Sequence, residues 1–383
     1  MQIPFLNLAS DQKKAEISGI LSEIQRVAES ADFIQGSKVA EFESRFAAHE
    51  DGRSGIGCNS GLDALILALR SLGVGPGDEV ITSPFSFIAT AAAISLVGAR
   101  PVFADICQDG TLDPSCAEAA ITPRTKAVLP VLWAGIPGRL REFRRLCESR
   151  GLFLVLDAAQ AVGTRYRGAG IGNLGDAVCY SLHPLKNLGV WGDGGMVLTS
   201  RPELAARIRL GRNHGLINRD EAAFFSYNSR LDTIQAVVAL AHLNLVDDIL
   251  ERRSELAARY LVGLAGQRPG LKIPLAEPSE GRAGIHLFQI ITGHRTELRE
   301  FLAKRGVETK VHYPVLMPFQ PASSHLGYRK GDFPVAERFA DGVVSLPIRE
   351  DLSFDEIDYI VASIGEFNQG AVRRVQVPAE LSS

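Results

Sequence analysis

Between about residue 55 and residue 245, short apolar, β-rich runs alternate with longer helix-patterned segments. This alternation restricts the fold more than any other feature of the chain. The predicted strands are residues 79–82, 101–104, 127–131, 152–156, 177–182 and 196–199, each short and bounded by Gly, Pro or Asp. Several are continuously apolar, as strands covered on both faces should be. Between them, Leu62, Leu65, Ile66, Leu69 and Leu72 fall on one helix face. Residues 139–150 predict a second helix just before the strand at 152–156. Strand–helix alternation of this kind predicts an α/β architecture, a mostly parallel sheet between helices.

After about residue 245 the texture changes. Residues 247–264 predict a long, charged, amphipathic helix, followed by a loop rich in Pro, Gly and Glu at 274–284. A strand near 286–291, a helix at 297–305, a strand ending in Val311 and a helix at 354–367 then predict a smaller α/β domain. The expected division is a large domain over 1–245 and a small C-terminal one over 246–383, with a weakly ordered tail at 369–383.

Composition serves mainly to exclude. The formal net charge is −3, from 41 basic and 44 acidic side chains, which gives no basic surface for nucleic acid or an anionic membrane. No N-terminal leader pattern and no bilayer-length apolar run is present, so a cytoplasmic protein is expected. The five cysteines, Cys58, Cys107, Cys116, Cys147 and Cys179, are scattered and odd in number. They form no CxxC pair and predict neither a disulfide framework nor a metal site. There is no HExxH and no GxSxG.

Three places can carry chemistry. Asp157 follows the apolar run at 152–156, where the carboxyl ends of strands in an open α/β sheet face ligands. A helix N-cap is the competing reading for that residue alone. Lys186 lies in SLHPLKNLGVWGDGG, beyond the strand ending at 182 and among Leu185, Leu188, Val190 and Trp191. An apolar setting depresses a lysine pKa and frees the amine as nucleophile or base. A solvated loop lysine is the bland alternative. Ser60 and Gly61 precede the helix whose apolar face begins at Leu62, and a helix N-terminus suits a phosphate. Ser60 with Asp63 also resembles a capping box, which needs no ligand. Gly170–Gly175 matches GxGxxG, but it leads into a strand and not a helix, so a loop is predicted there.

Nine stretches, in order, resemble the DegT/DnrJ/EryC1/StrS family of pyridoxal 5′-phosphate (PLP)-dependent sugar aminotransferases. They are GCNSGLDALILAL (57–69), VGPGDEVITSPFSFIAT (74–90), ITPRTKAVLPV (121–131), LVLDAAQAVG (154–163), SLHPLKNLGVWGDGG (181–195), RNHG (212–215), YNSRLDTIQA (227–236), VHYP (311–314) and SLPI (345–348). The resemblance implies the PLP-dependent transferase fold type I, with a seven-stranded sheet, and a homodimer with shared active sites. It implies that Lys186 carries PLP as a Schiff base and moves the transferred proton. Asp157 would pair with the pyridine nitrogen, Gln160 with the phenolic oxygen, and Phe87 would stack on the ring. Ser60, Gly61, Leu62, Ser181 and the partner subunit's Asn228 would hold the phosphate. Phe33, Arg230, His312 and Tyr313 would surround the sugar nucleotide.

Some positions depart from the family pattern. Leu62 stands where many members have a phosphate-binding threonine, and Leu132–Trp133 where many have a histidine followed by an apolar residue. Dehydratase members replace the lysine with histidine, so Lys186 points to amine transfer. The function implied is transfer of an amino group from an amino acid, L-glutamate first, to a keto-sugar nucleotide, with C3 preferred from SGLDAL and HYP. A C4-keto sugar nucleotide, a keto-cyclitol, a PLP-binding regulator without turnover and a nicotinamide oxidoreductase stay as alternatives.

Overall fold

The computed structural model describes residues 1–8, 11–267, 271–276 and 280–375, excepting the side chains of 11–16, 276 and 370–375. Its largest sheet has seven strands, in the spatial order Ser54–Cys58, Gly195–Thr199, Ala177–Ser181, Phe153–Asp157, Thr125–Leu129, Glu79–Thr82 and Arg100–Phe103. Only Gly195–Thr199 runs against the others, so the sheet is mostly parallel, as predicted. Apolar clusters cover both faces. One includes Phe42, Phe46, Phe143 and Tyr180; the other includes Leu65, Leu69, Ile94 and Ile208. This two-sided burial explains why the strand sequences are continuously apolar and not alternating.

The helix predicted from Leu62 spans Gly61–Ser71, and the one before the central strand spans Leu140–Arg150. The strand Ser54–Cys58 was not among the predicted elements. Its sequence, SGIGC, reads as a turn. It is glycine-rich because the chain packs backbone against backbone: a Cβ on Gly55 would stand 2.5 Å from the Glu43 carbonyl oxygen. Helices Asp11–Ser30 and Ser37–His49 precede it and were likewise unanticipated.

Beyond residue 245 a helix runs Val246–Leu264, then a three-stranded antiparallel sheet forms in the order Leu271–Lys272, Phe288–Thr292, Val343–Leu346. Its core holds Tyr260, Phe288, Ile290 and Ile360. The strand expected to end at Val311 does not form. Lys310 makes a lone antiparallel bridge to Ser345, and the chain then leaves the sheet edge so that His312 can pack on Phe5 and Tyr313 on Phe87 and Trp133. The last helix extends past its predicted end, over Phe354–Val375. The expected tail is therefore helical at its start, and its remainder, 376–383, lies outside the described residues.

Candidate active site

The site begins where two neighbouring parallel strands end. Phe153–Asp157 delivers Asp157, which is 4% exposed, and the adjacent Ala177–Ser181 delivers Ser181, two residues past Cys179, the partner of Asp157 in the sheet. The Asp157 carboxylate accepts from the Thr90 hydroxyl at 2.7 Å and the Ala159 N–H at 3.1 Å. Burial pushes its pKa up, against the downward pull of these donors and of Lys186. It is therefore a strand-end carboxylate held by three groups, and more than a helix cap.

Lys186 sits five residues past Ser181, its N–H bonded to the His183 carbonyl at 2.8 Å. Burial pulls its ammonium down to about 8, partly offset by Asp157. The same lysine is close enough to depress His312, which burial lowers to about 4, and His286, which burial holds well below the ordinary imidazole range. Burial raises the Tyr313 hydroxyl to about 12, with Asp157 adding to the effect. Asp157, Lys186, His312 and Tyr313 therefore share one electrostatic neighbourhood. The Phe87 ring, 54% exposed, joins it at 5.7 Å from the Tyr313 ring.

The helix start lies alongside. Ser60 caps it, accepting from the Asp63 N–H at 3.1 Å. The reciprocal half of a capping box is not made, because Asp63 accepts from the Ser229 hydroxyl at 2.8 Å instead. Gly61 is needed here: a Cβ on it would stand 2.7 Å from Ser181 Cβ. The first-turn N–H groups and the Ser181 hydroxyl thus converge with no side chain between them, a geometry that suits a phosphate.

Other expected residues are placed less centrally. Gln160 is buried, its Oε1 accepting from the Ala134 N–H at 2.8 Å. Asn228 is exposed and bridges Asn213. Arg230 donates to the Asn213 side-chain oxygen at 3.1 Å, and Phe33 is 45% exposed. A cavity of about 430 Å³ reaches Lys186 from the side of Asn7, Trp191, Arg253 and Arg349. Asp157, Gln160, Ser181 and Ser60 are not among the residues that line it. The GxGxxG stretch leaves the short strand Ala169–Gly170 and runs as a loop into the strand at Ala177, with no helix after it, as expected. A Cβ on Gly172 would stand 2.6 Å from the Glu50 carbonyl oxygen, so its glycine serves backbone packing and not a dinucleotide.

Sequence reasoning missed Thr90, although it closes the SFIAT stretch, and it missed the partners of His312. Trp133, Gln289 and Ser345 are fully or nearly fully buried, and each alone reads as core.

Buried carboxylate, low-pKa lysine, exposed aromatic face and open helix N-terminus are the donor set that PLP requires, and the residues present fit it. Such a site on a mostly parallel α/β sheet defines a PLP-dependent aminotransferase of fold type I. The model of the DegT/DnrJ/EryC1/StrS aminotransferase family matches residues 14–365, and the chain belongs to that family. It is 43% identical over 369 residues to dTDP-3-amino-3,4,6-trideoxy-alpha-D-glucose transaminase of Streptomyces venezuelae, covering 96% of each chain. It is 39% identical over 371 residues to a "pleiotropic regulatory protein" of Geobacillus stearothermophilus, covering 96% of this chain and 99% of that one. The crystal structure of S. venezuelae DesV in complex with a ketimine intermediate superposes with a TM-score of 0.92 at 42% identity, covering 96% of this chain and 99% of that one.

Proposed function

We propose that this aminotransferase moves an amino group from an amino acid, L-glutamate first, to C3 of a 3-keto-sugar nucleotide. The observation that carries the reading is Lys186, lowered by burial to about 8 in the loop beyond one strand, and within the electrostatic reach of the buried Asp157 that ends the neighbouring strand. The name of the S. venezuelae relative, a transaminase of a 3-amino sugar nucleotide, supports C3 over C4 or a cyclitol.

Bound PLP supplies an electron sink for the charge that develops on the reacting carbon. The chain supplies the rest. Asp157 keeps a proton on the pyridine nitrogen, because an adjacent carboxylate favours the charged form. The Gly61 and Leu62 N–H groups, Ser60 and the Ser181 hydroxyl bind the phosphate, joined by the partner subunit's Asn228. Phe87 stacks on the ring, and Gln160 turns its amide to the phenolic oxygen. Lys186 Nζ would carry the proton from the donor's α-carbon to the cofactor carbon in the first half-reaction, and from the cofactor carbon to the sugar carbon in the second. Phe33, Arg230, His312 and Tyr313 receive the sugar nucleotide, with Arg230 offering a planar fork to an anionic group. Two half-reactions sharing one site give ping-pong kinetics.

The working unit in this reading is a homodimer that shares its sites, with the domain boundary at 245/246. Five free thiols fit a reducing, cytoplasmic setting. No single helix among the described residues is long and apolar enough to cross a membrane.

Lys186→Ala tests the reading: it should abolish turnover, and wild-type transamination by that variant would refute it. A panel of 3-keto and 4-keto sugar nucleotides and a keto-inositol reads the ring position directly. The name of the Geobacillus relative favours one second reading, a PLP-binding regulator without turnover. Protein that stays yellow with glutamate and releases no keto acid would establish it.

A further inference from the structure

A buried hydrogen-bond chain behind His312 fixes which of its nitrogens carries the proton. Trp133, 0% exposed, donates its indole N–H to Gln289 Oε1 at 2.7 Å. Indole nitrogen is a donor only, so it pins the Gln289 amide with its oxygen toward Trp133. The two amide protons then have fixed destinations: the His312 carbonyl at 3.2 Å and Ser345 Oγ at 3.2 Å. Ser345 is 0% exposed, and its hydroxyl has only one further partner among the described residues, His312 Nδ1 at 2.9 Å. Having accepted from Gln289, it gives its single proton to Nδ1. Nδ1 is therefore an acceptor, and in the neutral ring the proton sits on Nε2. The low basicity of His312, set by burial with Lys186 and Lys310, agrees with a neutral ring. Nε2 makes no hydrogen bond among the described residues.

We propose that Trp133, Gln289 and Ser345 are positioning residues that lock His312 as its Nε2–H tautomer, so that His312 offers the substrate a hydrogen-bond donor. Its partner is then an acceptor oxygen of the sugar nucleotide, on the diphosphate or a sugar oxygen. This rests on the reading above that His312 contacts the nucleotide sugar. Gln289→Glu reverses the parity of the chain. A carboxylate still accepts from Trp133 but gives nothing to Ser345. The Ser345 hydroxyl then turns to the carboxylate, and His312 must carry its proton on Nδ1.

The test is nitrogen NMR of the PLP-loaded enzyme labelled in histidine, with the His312 signal assigned by its loss in His312→Gln. Wild type should show a neutral ring protonated on Nε2. Gln289→Glu should move the proton to Nδ1 and raise KM for the keto-sugar nucleotide about tenfold, the effect of one lost hydrogen bond, with a smaller change in kcat. Ser345→Thr, which keeps the hydroxyl, should retain the wild-type tautomer and KM. Trp133→Phe, which keeps a ring in the core, should free the amide and give both tautomers. A wild-type ring protonated on Nδ1, or a Gln289→Glu enzyme with wild-type tautomer and KM, overturns the proposal. The expected tautomer together with an unchanged sugar KM in His312→Gln overturns the substrate role of His312 and leaves the lock itself standing.

Discussion

Asp157→Asn isolates the charge of the strand-end carboxylate with almost no change of shape. The amide oxygen can still accept from the Ala159 N–H, which now bonds one carboxylate oxygen at 3.1 Å, while the amino group takes the place of the oxygen at 2.7 Å from Thr90, whose hydroxyl must reverse and accept. What the side chain loses is the negative charge. In the cofactor-free protein, Lys186 is lowered by burial and raised by Asp157, and the balance is about 8. With the carboxylate gone only burial is left, so the lysine pKa must fall below that value. In the loaded enzyme, the protonated pyridine nitrogen loses its counter-charge inside a site where the carboxylate is only 4% exposed. Removing one partner of a buried pair costs roughly 3–5 kcal/mol. At about 1.4 kcal/mol per factor of ten, the rate should fall roughly a hundredfold to several thousandfold. Single-turnover mixing of the PLP form with glutamate, followed in the visible spectrum, reads the rate. The pH dependence of lysine modification by a small aldehyde reads the pKa. A variant within threefold of wild type in the half-reaction, or a lysine pKa that stays at 8 or rises, would refute the reasoning.

Lys186→Met should stabilise the cofactor-free protein at pH 7. The lysine pKa falls from 10.5 unfolded to about 8 folded, a cost of about 3 kcal/mol in which the attraction of Asp157 is already included. The folded value is the lower one, so wild-type stability rises between pH 8 and 10.5 as the unfolded lysine alone stays protonated. Urea midpoints of the two proteins should converge across that window. Thr90→Val removes one donor to Asp157 and should slow the glutamate half-reaction about tenfold, with Thr90→Ser close to wild type. Glu43→Gln breaks the pair with Arg212, which is 6% exposed, and should cost about 3 kcal/mol in chemical denaturation.

The sheet was legible because its strands are buried on both faces and therefore continuously apolar. The strand Ser54–Cys58 was not, because close backbone contact demanded glycine where a strand would ordinarily carry β-branched residues. Asp157 and Lys186 were legible as members of a pattern: a carboxylate at a strand end, and a lysine in an apolar loop soon after the next strand. The support behind them was not. Thr90 stands 67 residues from Asp157, and Trp133 stands 156 residues from Gln289, so no spacing announces either contact. Buried polar groups acquire their meaning from partners, and a linear reading cannot see partners that distant.

The bond from Trp133 to Gln289 has a consequence for anyone recombining this protein with its relatives. It joins a residue before position 245 to one after it. A chimera that takes the C-terminal portion of this chain onto a relative's N-terminal portion inherits Gln289 and Ser345. If the residue facing them lacks an N–H, nothing dictates which way the amide turns. Both halves would be folded and correctly joined, yet His312 would become a mixture of donor and acceptor. Trp133 and Gln289 should therefore be exchanged as a pair, since the crossover point alone does not preserve the polarity that they set together.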